Sequence, residues 1–375
     1  MIFRSRHFLL FILLLPCVFN ASGQERNLSL LFIGDVMQHK DQITNAFDPK
    51  SGKYVYDTFK YIKDEISKAD VAIANLEFTL GGPPYSGYPQ FSAPDEIAVA
   101  LNDAGVDVLV TANNHSCDRR KKGIVRTVDM LDSLDFPHTG TYKNLEDKVD
   151  NFPLIIEKNG FRIALLNYTY GTNGIPVPKG TIVDLIDKDA IKQDLKLAQS
   201  YGVDKSLVFL HWGLEYQRNP SSEQVSLANF CLESGADFVI GSHPHVLQKM
   251  ENRFDVKKKD DEVVVYSLGN FVSHQRSRNR DGGAMVQLNL VGDDKRIWVE
   301  SVGYYLTWVH NPQLGNKEDF FVLPAAQYEA NQSFLDDFSY QKMITFIKDS
   351  RELFRRQNVN VHEYKYDQKS GLWTF

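Results

Sequence analysis

Cysteine is scarce in this chain: Cys17, Cys117 and Cys231 are the three among 375 residues. Zinc sites built on cysteine need thiolates paired at short spacing, so that class is excluded. Cys117 and Cys231 are far apart in sequence and read as small buried side chains, with their pairing left open. A basic excess is missing too, since 42 Lys and Arg face 48 Asp and Glu for a net charge of −6. That balance lacks the footprint of a general nucleic-acid binder, and no nucleic-acid partner is expected. Beyond residue 24 the apolar runs have strand length, too short to cross a bilayer. There is no GxxxxGK[ST] loop, so the chain is not itself an ATP-driven ligase. There is no G-x-S-x-G elbow, which argues against a serine hydrolase. Internal repeats and low-complexity stretches are absent as well.

What the chain does have is a large apolar inventory: 43% hydrophobic residues, with 17 Tyr and 24 Phe. Its first residues carry Arg4 and Arg6, an apolar run from Phe8 to Leu15, and small residues at Ala21-Ser22-Gly23. This is the pattern of a cleaved secretory signal peptide, residues 1–23. An exported, periplasmic or cell-surface protein is therefore expected, touching membrane only through its N-terminus. A lipoprotein anchor at Cys17 is the less favoured alternative, because Pro16 fits a lipobox poorly.

Short apolar strands alternate with helix-like stretches along residues 24–330. "LSLLFIGD", "DVAIANLE", "VDVLVTANNH", "FRIALLNYT", "SLVFLHWG", "ADFVIGSHPHV" and "DEVVVYSLGNF" read as strands. "VYDTFKYIKDEISKA", "SAPDEIAVALNDAG" capped by Ser92, "IVRTVDMLDSLD", "KDAIKQDLKLAQSYG" and "SSEQVSLANFCLESG" read as helices. "GAMVQLNLV" and "IWVESVGYYLT" form a late antiparallel pair, and "KKKDD" a hairpin turn. Residues 331–375 read as a helical extension. The order argues an α/β protein with sheets inside and helices outside.

Polar residues gather at the strand ends: Asp35; Asn75 and Glu77; Asn113, Asn114 and His115; His211 and Glu215; His243 and His245; Asn270. Ligands collect beyond the carboxyl ends of strands in α/β sheets. Carboxylate, amide and imidazole together suit Zn, Mn or Fe. In "HPH" the two histidines, spaced i and i+2 on an extended segment, are expected to point the same way.

The series Gly-Asp, Asn-Leu-Glu, Ala-Asn-Asn-His, His-Trp-Gly-x-Glu, Gly-x-His-Pro-His-Val and Tyr-Ser-Leu-Gly-Asn-Phe resembles the CapA family of capsule and poly-γ-glutamate synthesis proteins, within the calcineurin-like metallophosphoesterases. The resemblance spans roughly residues 28–275. It implies a four-layer α-β-β-α sandwich of two mixed sheets flanked by helices, with one or two divalent metals. It implies metal ligands at Asp35, Glu77, Asn114, His211, His243 and His245. Glu77 stands where that superfamily has a bridging Asp, and His115 meets the leaving group rather than a metal. Met37 stands where the superfamily's first motif has a His, and a thioether is a poor ligand for a hard cation.

Around this set, Glu215 is a candidate catalytic base, an orienting carboxylate or a solvated loop acid. Asn75, Asn113, Asn270, His39 and His274 are candidates for holding substrate, although His39 also reads as an exposed residue and Asn270 as a turn cap. "GGPPYSGYPQFSAP" is a candidate substrate wall, and "DRRKK" after His115 reads as basic. The implied function is an exported, metal-dependent hydrolase of capsule or poly-γ-glutamate biosynthesis, acting on an envelope polymer or a phosphate ester. Membrane proteins of capsule synthesis are its implied partners. The alternative is a non-catalytic polymer-binding or assembly subunit with a degenerate metal site.

Overall fold

The computed structural model describes residues 25–314 and 317–375, so the expected signal peptide and Cys17 lie outside the described residues. The first half lays down β1 (Arg26–Val36), β2 (Val71–Leu76), β3 (Val108–Val110) and β4 (His138–Thr139), with helices α1 (Glu96–Asp103) and α2 (Arg120–Ser133) between them. The second half adds β5 (Leu154–Lys158), β6 (Phe161–Thr169), α3 (Lys188–Ser200), β7 (Lys205–His211), α4 (Ser222–Glu233), β8 (Phe238–Ser242), β9 (Met250–Asp255) and β10 (Asp260–Val265). Next come β11 (Asn270–Val272), β12 (Gly282–Gly292), β13 (Ile297–His310), β14 (Phe321–Pro324), the helix α5 (Asp337–Gln357) and β15 (His362–Glu363).

These strands make two mixed sheets. One runs β14-β13-β12-β1-β2-β3-β4, with β11 also on β1 and β15 on β13. Its β1, β2, β3 and β4 are parallel, while β12, β13 and β14 add antiparallel. The other runs β9-β10-β8-β7-β6-β5, with β6, β7, β8 and β10 parallel.

Successive side chains on a strand point to opposite faces, and here both faces are buried. Leu28, Leu30 and Phe32 of β1 meet Ile163, Leu165, Phe209 and Ile240 of the other sheet in one cluster between the sheets. Leu31 and Ile33 of β1 face the other way, onto Ile97 and Leu101 of α1 and Leu131 of α2. Leu166, Val208 and Val239 pack outward on Leu195 of α3 and Cys231 of α4. The result is the four-layer helix–sheet–sheet–helix sandwich, and two-sided burial explains why the strands read as continuous apolar runs.

Several local expectations change. The stretch 55–69 is mostly turns, with a helix confined to Lys63–Ile66. Its apolar residues Phe59, Ile62 and Ile66 are still buried, because spacing near three serves consecutive turns as well as a helix. Ser92 does not cap α1: the cap position is Asp95, and the Ser92 hydroxyl donates to the Gly82 carbonyl. Ser221 does cap α4, in a reciprocal box with Gln224. The segment 331–375 holds α5 and then strand structure, with β15 joining the first sheet beside β13. Cys117 and Cys231 are both free and buried.

Two contacts hold the sandwich at its functional end. Asn167 on β6 accepts from the Ala112 amide at 2.7 Å and donates to the Phe209 carbonyl at 3.1 Å, tying the loop after β3 to the opposite sheet. Gly34 lets the chain before β11 approach β1: a Cβ there would lie 2.2 Å from the Gly269 carbonyl oxygen. That same carbonyl accepts the Asp35 amide at 3.0 Å. Gly34→Ala should therefore cost about 1–3 kcal/mol, because neither backbone can yield. Chemical denaturation would read this as a lower midpoint with an unchanged slope.

Candidate metal centre

The candidate residues do converge at the carboxyl ends of the parallel strands. Asp35 lies near the end of β1, and Glu77 directly follows β2. Asn114 and His115 lie in the turn after β3, and His211 is the last residue of β7. His243 and His245 follow β8. All of them are buried, with Asp35, Glu77 and His211 fully so.

The two histidines of "HPH" meet the centre by a different route from the one expected. The segment is not extended: φ is +97° at His243 and +56° at His245, both in the left-handed region. Non-glycine residues rarely adopt it, and where they do it marks a backbone held by its surroundings. Here the His243 amide donates to Asp35, at 3.3 Å to Oδ1 and 3.4 Å to Oδ2, and Asp35 Oδ2 lies 3.0 Å from His245 Nδ1. The backbone reversal brings both rings to one side, with centroids 5.8 Å apart.

Glu77 stands between the others. Its Oε1 lies 3.6 Å from His211 Nε2 and 3.7 Å from His245 Nε2, and neither of its oxygens has a hydrogen-bond partner. Burial, and then the Asp35 charge beside it, push the Glu77 carboxyl well above the usual range. Burial alone would raise Asp35 as well, but its bonds to His245 and Asn75 and the nearby imidazoles hold it below the usual range. Burial and mutual proximity drive His211 well down and His243 down to about 3, so both are neutral imidazoles, the form that ligates metal.

Two groups of ligand atoms lie within 4.8 Å of one another: Glu77, His243 and His245, and Asp35, Glu77 and His211. Glu77 belongs to both. The Nδ1 of His243 is likewise buried without a partner. Asn114 Oδ1 lies 2.9 Å from His211 Nε2, within reach of the same space. Orphaned carboxylate oxygens facing imidazoles are the donor set of a divalent cation, and the residues fit one or two such ions.

Met37 does not join them. It is buried in the outer apolar cluster, so the position supplies packing and no ligand.

The family described as bacterial capsule synthesis protein PGA_cap matches residues 29–275, which contain every one of these ligands. The chain belongs to that family. It is 30% identical to the capsule biosynthesis protein CapA of Bacillus anthracis over 71% of this chain and 65% of that one. It is 27% identical to the PGA biosynthesis protein CapA of Bacillus subtilis over 70% of this chain and 68% of that one. The chain thus spans a little under two thirds of the first relative's length. Among solved structures, a calcineurin-like phosphoesterase from Bacillus subtilis superposes with a TM-score of 0.46 at 14% identity, covering 88% of this chain and 100% of that one. No helix among the described residues is long and apolar enough to cross a membrane.

Within this PGA_cap chain the remaining candidates take distinct places. Asn75 donates to Asp35 at 2.9 Å and lies 3.3 Å from His211 Nδ1, so it holds ligands. Asn113 ties its loop to the end of β2, donating to the Leu76 carbonyl at 2.7 Å, and accepts the His115 amide at 3.0 Å. Asn270 is buried beside Asp35 in strand register, and its amide donates to the Arg280 carbonyl at 2.8 Å. Asn75 and Asn113 hold the protein's own groups, while Asn270 keeps its Oδ1 buried without a partner. Glu215 is exposed at the rim, and its charge is felt at Glu77. His39 caps a short helix with Gln42 and is only partly exposed. His274 sits farther along the same side, 2.9 Å from Asp41.

Three contributors were missed. Asp118 opens the "DRRKK" run yet is buried, 2.7 Å from His115 Nδ1. The His-x-x-Asp spacing, one turn apart, was the signal, and the basic residues after it masked it. Asp118 also accepts the Phe91 amide at 2.7 Å, and the Phe91 ring sits edge-on to His115 with centroids 4.6 Å apart. The Gly/Pro/Tyr loop is thereby clamped over His115. Tyr170, after β6, places its ring 4.6 Å from that of His243. Ser242 Oγ lies 3.1 Å from His211 Nδ1.

Glu77→Gln should reduce Mn or Zn affinity at least tenfold, since one uncharged amide would replace the carboxylate shared by both groups. Melting of the metal-free protein should not fall, because the variant also removes a buried carboxyl without partners. Calorimetric metal titration and a melting curve check the two halves separately.

Proposed function

We propose that this PGA_cap protein is an exported, metal-dependent hydrolase of the phosphoesterase kind, acting at the cell envelope in capsule or poly-γ-glutamate biosynthesis. The observation that carries this reading is Glu77, a partnerless buried carboxylate common to two ligand groups. Asp35, Glu77, Asn114, His211, His243 and His245 would hold one or two divalent ions of Mn, Zn or Fe. Such ions, when bound, neutralise developing charge and make water a nucleophile near neutral pH.

The chain's own residues supply the rest. Asp118 fixes His115 through Nδ1, which leaves Nε2 as the free ring nitrogen to hand a proton to the leaving oxygen. Phe91 holds that ring in place and excludes water from one side. Asn75 and Ser242 hold His211, and the His243 amide holds Asp35. Glu215 at the rim is placed to orient an approaching group. Export would follow from residues 1–23, with membrane proteins of capsule synthesis as partners and an envelope polymer or phosphate ester as substrate.

A second reading, a non-catalytic assembly subunit, is favoured by one observation: Met37 fills apolar core where a ligand would stand. Elemental analysis and bis-p-nitrophenyl phosphate hydrolysis with added Mn or Zn separate the two. The hydrolase reading expects bound metal, and turnover reduced at least 100-fold in His211→Ala and His243→Ala. Protein free of metal, with both variants still supporting capsule formation in cells, would establish the assembly role instead. Asp118→Asn should cut turnover about 10- to 100-fold and leave metal content unchanged, since the His115 ring loses its anchor but the ligands do not.

A further inference from the structure

The loop after β11 carries three arginines with different surroundings. Arg278 makes a two-pronged bond with Asp349. Arg276 lies over the Trp308 ring at 5.3 Å. Arg280 lies over Tyr216, its guanidinium carbon 3.6 Å from the ring centroid. Among the described residues no carboxylate pairs with it.

Its position is set from both sides by the metal strands. The Arg280 carbonyl accepts from Asn270, which stands in register with Asp35. The Tyr216 amide donates to the Pro244 carbonyl at 2.8 Å, between His243 and His245. The Tyr216 ring lies 6.1 Å from that of His245, and its backbone is held in the left-handed region at φ +66°.

A fixed guanidinium beside a centre built for cations repels those cations unless an anion lies between them. Stacking on tyrosine neutralises nothing, and it leaves the N–H edge free to grip two oxygens at once. We propose that Arg280, braced on Tyr216, binds an oxyanion group of the substrate, a carboxylate or a phosphate, at the rim of the metal centre. This deepens the hydrolase reading and rests on it for the identity of the bound molecule as substrate.

The test is calorimetric titration of the full chain, with and without Mn, using inorganic phosphate in one arm and γ-linked triglutamate in the other. The proteins are wild type, Arg280→Gln and Arg280→Lys, each shown to be folded by its melting curve. Arg280→Gln should weaken binding at least tenfold in one arm. Arg280→Lys should recover only part of it, because an ammonium is a point charge without the two-pronged fork. Loss in the phosphate arm assigns a phosphate, and loss in the triglutamate arm a carboxylate. Equal affinities for all three proteins in both arms, or a wild type that binds neither probe, would overturn the proposal. Weakened binding in a protein that holds no metal and hydrolyses nothing would keep the oxyanion site and remove the hydrolase reading.

Discussion

Everything at this end of the molecule depends on the charge of Glu77. A carboxylate cut off from water and from every hydrogen-bond donor is among the most costly groups a protein can bury, and it is tolerated only near compensating charge. The surroundings of Glu77 supply imidazoles held neutral by their own burial, which offer lone pairs and no positive charge. Compensation comes either from a proton, which the raised Glu77 carboxyl takes up, or from cations that those same lone pairs can hold. The rest of the centre follows from this constraint. Asp35 is satisfied by hydrogen bonds and stays ionised, whereas Glu77 is left without any. The contrast separates a ligand whose position is fixed by the protein from one whose position makes sense with metal beside it.

The ligand types were legible because they are rare at the ends of apolar strands. Asp35, Glu77 and His211 each close a run of buried aliphatic residues, and a strand ending in such a group is informative from sequence alone. What could not be read is how the backbone turns after each strand. Asn113 and Asn114 are the same residue side by side, yet one is tied to the Leu76 carbonyl and the other reaches His211, and loop geometry alone decides which. His243 and His245 do share a face, but through two left-handed residues rather than an extended segment. Asp118 was hidden by the charges after it, since a run of basic residues reads as a solvated surface. Tyr170 was not legible because its partner His243 is supplied by a distant strand end. The α/β layering was more accessible than these details, because strands buried on both faces read as continuous apolar runs, while the four-layer arrangement followed from the family resemblance.

The amides of the site show how specificity of position is achieved without charge. Asn75, Asn113 and Asn167 are all buried, and each bridges elements far apart in sequence. A buried amide left unpaired costs about 1–3 kcal/mol, so each of these links penalises any other arrangement of the strand ends. Carboxylates in the same places would add like charge to Asp35 and Glu77. Neutral, bifunctional side chains therefore suit the frame, and the charged ones are reserved for the centre.

The centre also couples the two sheets. Asp35 and Glu77 come from the first sheet, and His211, His243 and His245 from the second. Away from the site the sheets are joined by a continuous apolar cluster that needs no help. At the strand ends that cluster gives way to polar groups, and the joint depends on Asn167, on the hydrogen bonds of Asp35, and on whatever ion the ligands hold. A cation bound there touches both layers, so its binding free energy is also free energy of holding the sandwich closed at that end. Met37, on the side of the first sheet, lies in buried apolar contact, so that position holds the sheet by packing while the first sheet's ligands are Asp35, Glu77 and Asn114.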